Sequence, residues 1–211
     1  MECIENNADN VKKAVQVLKK GDVIAHPADT CFGLAADLMN ERALKKLQQI
    51  KGREAKKPMS IMLPDYLKPR LSDYDRLDDF AKMVCEEILP GPVTIVLPKG
   101  PKIPACFFPE MDSVGIRIPC DPLTEDLLTR FRGPLITTSA NLSGKPVCCR
   151  CSEVISAFKS RKHKPDLLLK GEIRGACLPS TVISLENDKV CILRPVPVKK
   201  EELETILGIR I

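Results

Sequence analysis

Lys51, Arg53, Lys56 and Lys57 fall within seven residues of the stretch QIKGREAKKPMSIML, Gln49 to Leu63. Lysine brings a mobile point charge and arginine a planar fork of donors, a pair suited to the several oxygens of a phosphate. A second cluster, PLITTSANLSG from Pro134 to Gly144, passes from an apolar start into Thr137, Thr138, Ser139, Asn141 and Ser143. A hairpin turn does not need that many side chains able to donate or accept hydrogen bonds. Polar residues also stand on or beside strand-like segments at Thr30, Ser180, Arg194 and Arg117, the last inside the apolar run VGIRIP. An arginine on a buried strand face needs an anionic partner, from the protein or from a ligand.

What is missing narrows the chemistry. Only His26 and His163 occur, the latter in the exposed-looking run RKHK, which disfavours a histidine triad or a histidine-ligated metal. Lys145 follows Gly144, but Ser139 and Pro146 occupy the first-glycine and Ser/Thr positions of a Walker A loop, and no GxGxxG is present. A cationic, hydroxyl-rich pocket without an obvious nucleophile is suited to holding reactants and stabilising developing negative charge, as nucleotidyl transfer requires.

The elements that must position these groups follow from periodicity and punctuation. Val11, Ala14, Val15 and Leu18 predict a helix capped by Asn7 or Asp9 and closed at Gly21. Val23 to His26 reads as a strand ended by Pro27, with Asp29 and Thr30 at its carboxyl end and Gly33 providing a close turn. In open α/β sheets ligands bind at that edge. Asn40 opens a helix through Leu44, Leu47 and Ile50, stopped by Gly52, so the four cations are expected on a loop before a strand at Met59 to Leu63. Leu77, Phe80, Ala81, Val84 and Ile88 predict a helix stopped by Pro90, Gly91 and Pro92. Strands are expected at Val93 to Leu97 and Val114 to Pro119, with a long loop, Pro98 to Asp112, between them. Asp121 and Pro122 start a helix ending near Phe131. A helix at Ser152 to Phe158, strands at Leu167 to Leu169, Ser180 to Leu185 and Val190 to Leu193, and a tail helix with Leu203, Ile206 and Leu207 complete the pattern.

With 211 residues, 44% hydrophobic and 29% charged, the chain is long enough for a full core, and one globular α/β domain over residues 1–211 is expected. The net charge of +5 fits a polyanionic ligand or nucleotide. Absence of Trp and only two Tyr speak against a stacking platform for single strands. The N-terminus lacks a basic region and an apolar run, and no stretch has the roughly 18 apolar residues of a membrane helix, so a cytoplasmic protein without membrane association is expected. The ten cysteines are scattered and read as reduced thiols. Cys148, Cys149 and Cys151 lack a second pair or nearby histidines to complete a zinc site.

The segments ADTCFGLAAD, IKGREAKKP, LPGPVTIVLP, VGIRIP, TTSANLSG, STVISL and ILRP occur in this order from about Val23 to Pro195. Together they resemble the successive motifs of the YrdC-like threonylcarbamoyl-AMP synthase family, in its short, single-domain form. The resemblance implies a twisted, mixed parallel and antiparallel open sheet with flanking helices and a central cationic concavity. It implies condensation of L-threonine, bicarbonate and ATP, the last as its Mg2+ complex, to threonylcarbamoyl-adenylate and pyrophosphate, for threonylcarbamoyl-adenosine modification of tRNA. By similarity Thr30, Arg117, Ser139 and Ser180 hold threonine, and Arg53, Lys57, Ser113, Asn141 and Arg194 hold ATP. Lys51 beside them helps neutralise charge at the α-phosphate, with Arg53, Ser139 and Asn141 also catalytic; no organic cofactor and no protein metal ligand is implied. Partners on this reading are tRNA or double-stranded RNA and downstream threonylcarbamoyl-transfer proteins. Three positions depart from the pattern: Ala28 replaces a threonine, Met62 stands where many members have histidine, and Cys149 stands where Ser or Thr is frequent. Competing readings are an RNA-binding module without ATP turnover and a carbamoyl-adenylate-forming domain of the hydrogenase-maturation type.

Overall fold

The computed structural model of this chain describes residues 1–52, 59–107, 109–173 and 176–211. Its strands are β1 (Glu2–Ile4), β2 (Ile24–His26), β3 (Gly33–Asp37), β4 (Ser60–Met62), β5 (Val93–Pro98), β6 (Ser113–Arg117), β7 (Leu135–Ser139), β8 (Leu167–Leu169), β9 (Thr181–Glu186) and β10 (Lys189–Arg194). Its helices are α1 (Ala8–Lys19), α2 (Glu41–Lys51), α3 (Asp79–Ile88), α4 (Pro122–Phe131), α5 (Cys151–Phe158) and α6 (Lys200–Leu207), with a 3-10 segment at Asp65–Asp73. Among the described residues the strands form one ten-stranded sheet in the order β1-β8-β2-β3-β7-β4-β6-β5-β9-β10. Parallel and antiparallel neighbours are mixed: β4 runs parallel to β6 and antiparallel to β7.

The helices begin where side chains can satisfy their free N–H groups. Asn7, Asn40, Asp78 and Asp121 each accept a bond from the backbone N–H three residues on. Pro122 occupies the first turn of α4, and α2 ends at Gly52 with φ +58°. Lys51 is the last residue of α2 and is buried, so it does not belong to the basic loop where its charge had placed it. A second correction concerns Gly33, which opens strand β3 rather than a turn: it pairs with His26 of β2 and Ser139 of β7. The run GLAAD has little intrinsic strand preference; pairing on both of its edges makes it a strand. The edge strand β1 likewise had no signal in the sequence, having three residues and mostly exposed side chains.

Alternation along the strands divides the core in two. Ala25, Leu34, Ala36, Ile61, Ile95, Ile116, Ile136, Leu168 and Ile183 point to one face, covered by the apolar stripes of α2, α3, α5 and α6. Their neighbours Ile24, Ala35, Met62, Leu135, Leu167 and Leu169 point to the opposite face, where they meet Val11, Ala14, Val15 and Leu18 of α1 and Leu127, Leu128 and Phe131 of α4. These two helices cover the β8-β2-β3-β7 side of that face and reach no further than Met62 at the end of β4. On the β4-β6-β5-β9 side the equivalent positions are Ser60, Gly115, Thr94, Val96 and Val182, small or polar, and a cavity lies over them.

Candidate active site

The cavity has a volume of about 470 Å³. Its floor is made by two cross-strand rows. Thr137, Ser60, Gly115 and Val96 are register partners on β7, β4, β6 and β5. One pleat further along, Leu135, Met62 and Arg117 are partners, and on the far side Thr94, Val182 and Arg194 are partners on β5, β9 and β10. Because side chains alternate with period two, this register puts Arg117 and Arg194 on the same face. A Cβ at Gly115 would come within 2.8 Å of Thr94 Cγ2 and 3.0 Å of Ser60 Oγ, so only glycine keeps this floor open.

Six of the residues expected at a site line this one cavity: Thr30, Ser113, Arg117, Ser139, Ser180 and Arg194. Thr94 Oγ1 and Ser180 Oγ are 2.8 Å apart, and Arg194 donates from Nε to the Ser180 carbonyl at 2.7 Å and from Nη2 to Ser180 Oγ at 3.2 Å. Lys51 and Asn141 stand behind Ser139. Lys51 Nζ donates to Ser139 O (2.5 Å), Ser139 Oγ (3.2 Å) and Asn141 Oδ1 (2.6 Å), and Ser139 Oγ in turn donates to Asn141 Oδ1 at 2.6 Å. The buried ammonium therefore pins the turn after β7. Arg53 and Lys57 lie outside the described residues. Met62 and Ala28, two of the departing positions, both line the cavity.

Arg117 has its anion within the protein: Asp29 Oδ1 accepts from Nη2 at 2.5 Å, and both side chains are at least nine-tenths buried. Thr30 Oγ1 accepts from Nη1 at 3.2 Å. In the sequence Asp29 shows only as a polar group at a strand end, with no local signal that pairs it to Arg117. Ser60 and Thr94 are also on the cavity wall, and their alternation with Ile61 and Ile95 is the signal that marks the face opposite the core. Cys31 lines the same wall, and burial pushes its thiol pKa up, so it is a neutral group there.

His26 does not line the cavity. Its Nδ1 lies 2.8 Å from the Pro27 carbonyl, which can only accept, so Nδ1 carries the proton; burial lowers its pKa and keeps the ring neutral. No group of three or more His, Cys, Asp or Glu able to hold a metal occurs among the described residues. The cysteines need one correction: Cys149 and Cys177 form a disulfide with Cα atoms 5.6 Å apart, while the other eight are free. The fold brings the segment before β9 against the one after β7, a contact that a sequence separation of 28 does not announce.

A mixed open sheet with flanking helices, whose half-covered face holds Arg117 and Arg194 among hydroxyl groups around one cavity, defines the class as an α/β protein with a polar pocket on its sheet. The Sua5_yciO_yrdC family model, described as telomere recombination, matches residues 16–195, and the chain belongs to that family. A Methanocaldococcus jannaschii protein, whose name gives threonylcarbamoyl-AMP synthase provisionally, is 37% identical over 205 residues, 93% of either chain. The threonylcarbamoyl-AMP synthase of Pyrococcus abyssi is 30% identical over 198 residues, 94% of this chain but 57% of its own. The structure of P. abyssi Sua5 complexed with L-threonine superposes with a TM-score of 0.88 at 28% identity, covering 100% of this chain and 62% of that one. No helix among the described residues is long and apolar enough to cross a membrane.

Proposed function

We propose that this chain is a nucleotidyltransferase that condenses L-threonine, bicarbonate and ATP to threonylcarbamoyl-adenylate and pyrophosphate, for threonylcarbamoyl-adenosine modification of tRNA. The observation that carries the reading is the convergence on one cavity of Thr30, Ser113, Arg117, Ser139, Ser180 and Arg194, from segments far apart in sequence. Membership of the family and the names of its members supply the chemistry. Arg117, Thr30, Ser139 and Ser180 hold threonine, the guanidinium pairing with its carboxylate. Ser113 and Arg194, with Asn141 and the loop residues Arg53 and Lys57, hold ATP, which arrives as its Mg2+ complex. The threonine amine attacks the carbon of bicarbonate and water leaves, giving an N-carboxylate; an oxygen of that carbamate then attacks the α-phosphorus and pyrophosphate leaves. Charge grows on the phosphoryl oxygens in that step, and fixed cations and N–H donors stabilise it without reorganising. Lys51 acts by fixing Ser139 and Asn141. We place the reaction in the cytoplasm, in a single domain, with tRNA and threonylcarbamoyl-transfer proteins downstream.

The test is pyrophosphate release with each reactant withheld in turn. Release should need threonine, bicarbonate and ATP together. Release that continues without threonine, or that runs on carbamoyl phosphate in place of threonine and bicarbonate, would overturn the reading.

A further inference from the structure

We propose that Asp29 is a positioning residue for substrate, acting through Arg117: it anchors the guanidinium from behind so that the remaining N–H groups are held for the ligand's carboxylate. This rests on the threonine reading of the cavity. Arg117 lines the cavity and Asp29 does not, yet the two side chains meet at 2.5 Å with 8% and 7% of their surfaces exposed. A guanidinium has five N–H donors in a fixed plane. One goes to Asp29 and one to Thr30, and among the described residues Nε is buried with no acceptor at all. Because Nε is sealed from solvent, what Arg117 can still offer a ligand is the second N–H of Nη1 and of Nη2. An α-carboxylate arriving in the cavity is an anion of the right shape for the donors that remain.

Without Asp29 the arginine has no described carboxylate to fix its plane, and its several rotatable bonds give it other orientations. Asp29 also ties strand β6 to the connection between β2 and β3, which carries Ala28, Thr30 and Cys31 on the cavity wall. Its second oxygen faces Cys120, with the backbone N–H at 3.4 Å and Sγ at 3.5 Å, so the carboxylate is itself held from the far side. The cost of this arrangement is that Asp29 offsets part of the charge of Arg117. Recognition then depends on how the fork is aimed more than on net attraction.

The experiment measures steady-state pyrophosphate release for the wild type, Asp29→Asn, Arg117→Lys and the double variant, with melting curves for each. Asp29→Asn should raise the threonine KM at least tenfold while the ATP KM and the kcat at saturating threonine stay within about threefold of wild type. In the Arg117→Lys background the same change should add less than twofold, because there is no fork left to aim. If Asp29→Asn does not fold, Asp29→Glu keeps the charge and displaces it by one methylene, and its threonine KM should rise alone. A folded Asp29 variant with wild-type threonine KM overturns the proposal. So do effects of Asp29→Asn and Arg117→Lys that multiply, and an equal loss in every parameter, which marks a purely structural residue. Wild-type release that ignores threonine would sink the threonine reading and this inference together, an outcome visible before any variant is made.

Discussion

Asp75 offers a measurement whose sign and size follow from burial alone. Its side chain is 1% exposed, and neither carboxylate oxygen has a hydrogen-bond partner among the described residues. Burial pushes its pKa from an ordinary 3.8 up to about 8. The folded protein therefore keeps Asp75 protonated at neutral pH, while the unfolded chain releases the proton. Below pH 3.8 the group favours neither state; as pH rises from there through 8 the unfolded state gains, and the loss of stability levels off above the folded value. At pH 7 the deficit is on the order of 4 kcal/mol. Asp75→Asn keeps the shape and the unmatched polar atoms but cannot ionise, so it isolates this linkage. For a chain of this length it should raise the Tm at pH 7 by roughly 8–16 °C, and by much less at pH 4. The assay is urea or thermal unfolding of both proteins from pH 4 to pH 9. Two stability curves that run parallel over that range would refute the reasoning, since they would mean that Asp75 is ionised and solvated in the folded state.

Two further outcomes are expected. Lys51→Met preserves most of the buried volume but removes the ammonium that holds Ser139 and Asn141, so pyrophosphate release should fall about 10²–10³-fold in a protein that still folds; undiminished turnover in the folded variant would take Lys51 out of the catalytic apparatus. Replacing Cys149 and Cys177 together by serine opens a loop closed across a separation of 28 residues, for which the chain-entropy model gives a loss of about 3–4 kcal/mol. A wild-type melting curve that is insensitive to reductant and coincides with that of the double variant would contradict a closed bridge.

Local signals carried most of the elements. The caps at Asn7, Asn40 and Asp121, the left-handed stop at Gly52 and the strand Leu167–Leu169 each depend on residues within one turn or one short run, so the sequence displays them directly. The ordered motifs were sufficient to indicate the family, because each packs several chemically constrained positions into a few residues. What the sequence alone could not decide is which distant groups meet. Arg117 needed an anion on any reading, but Asp29 lies 88 positions away and reaches it only because β2, β3, β7, β4 and β6 lie side by side. Lys51 looked like one more cation of a basic run until the end of α2 turned it beneath Ser139. Nothing in the run SDYDRLDD distinguishes Asp75 from Asp73, yet one is sealed in the interior and the other meets Arg70 and Lys102 at the surface. In each case partner and burial depend on strand order and register, which are settled by packing both faces of the whole sheet at once.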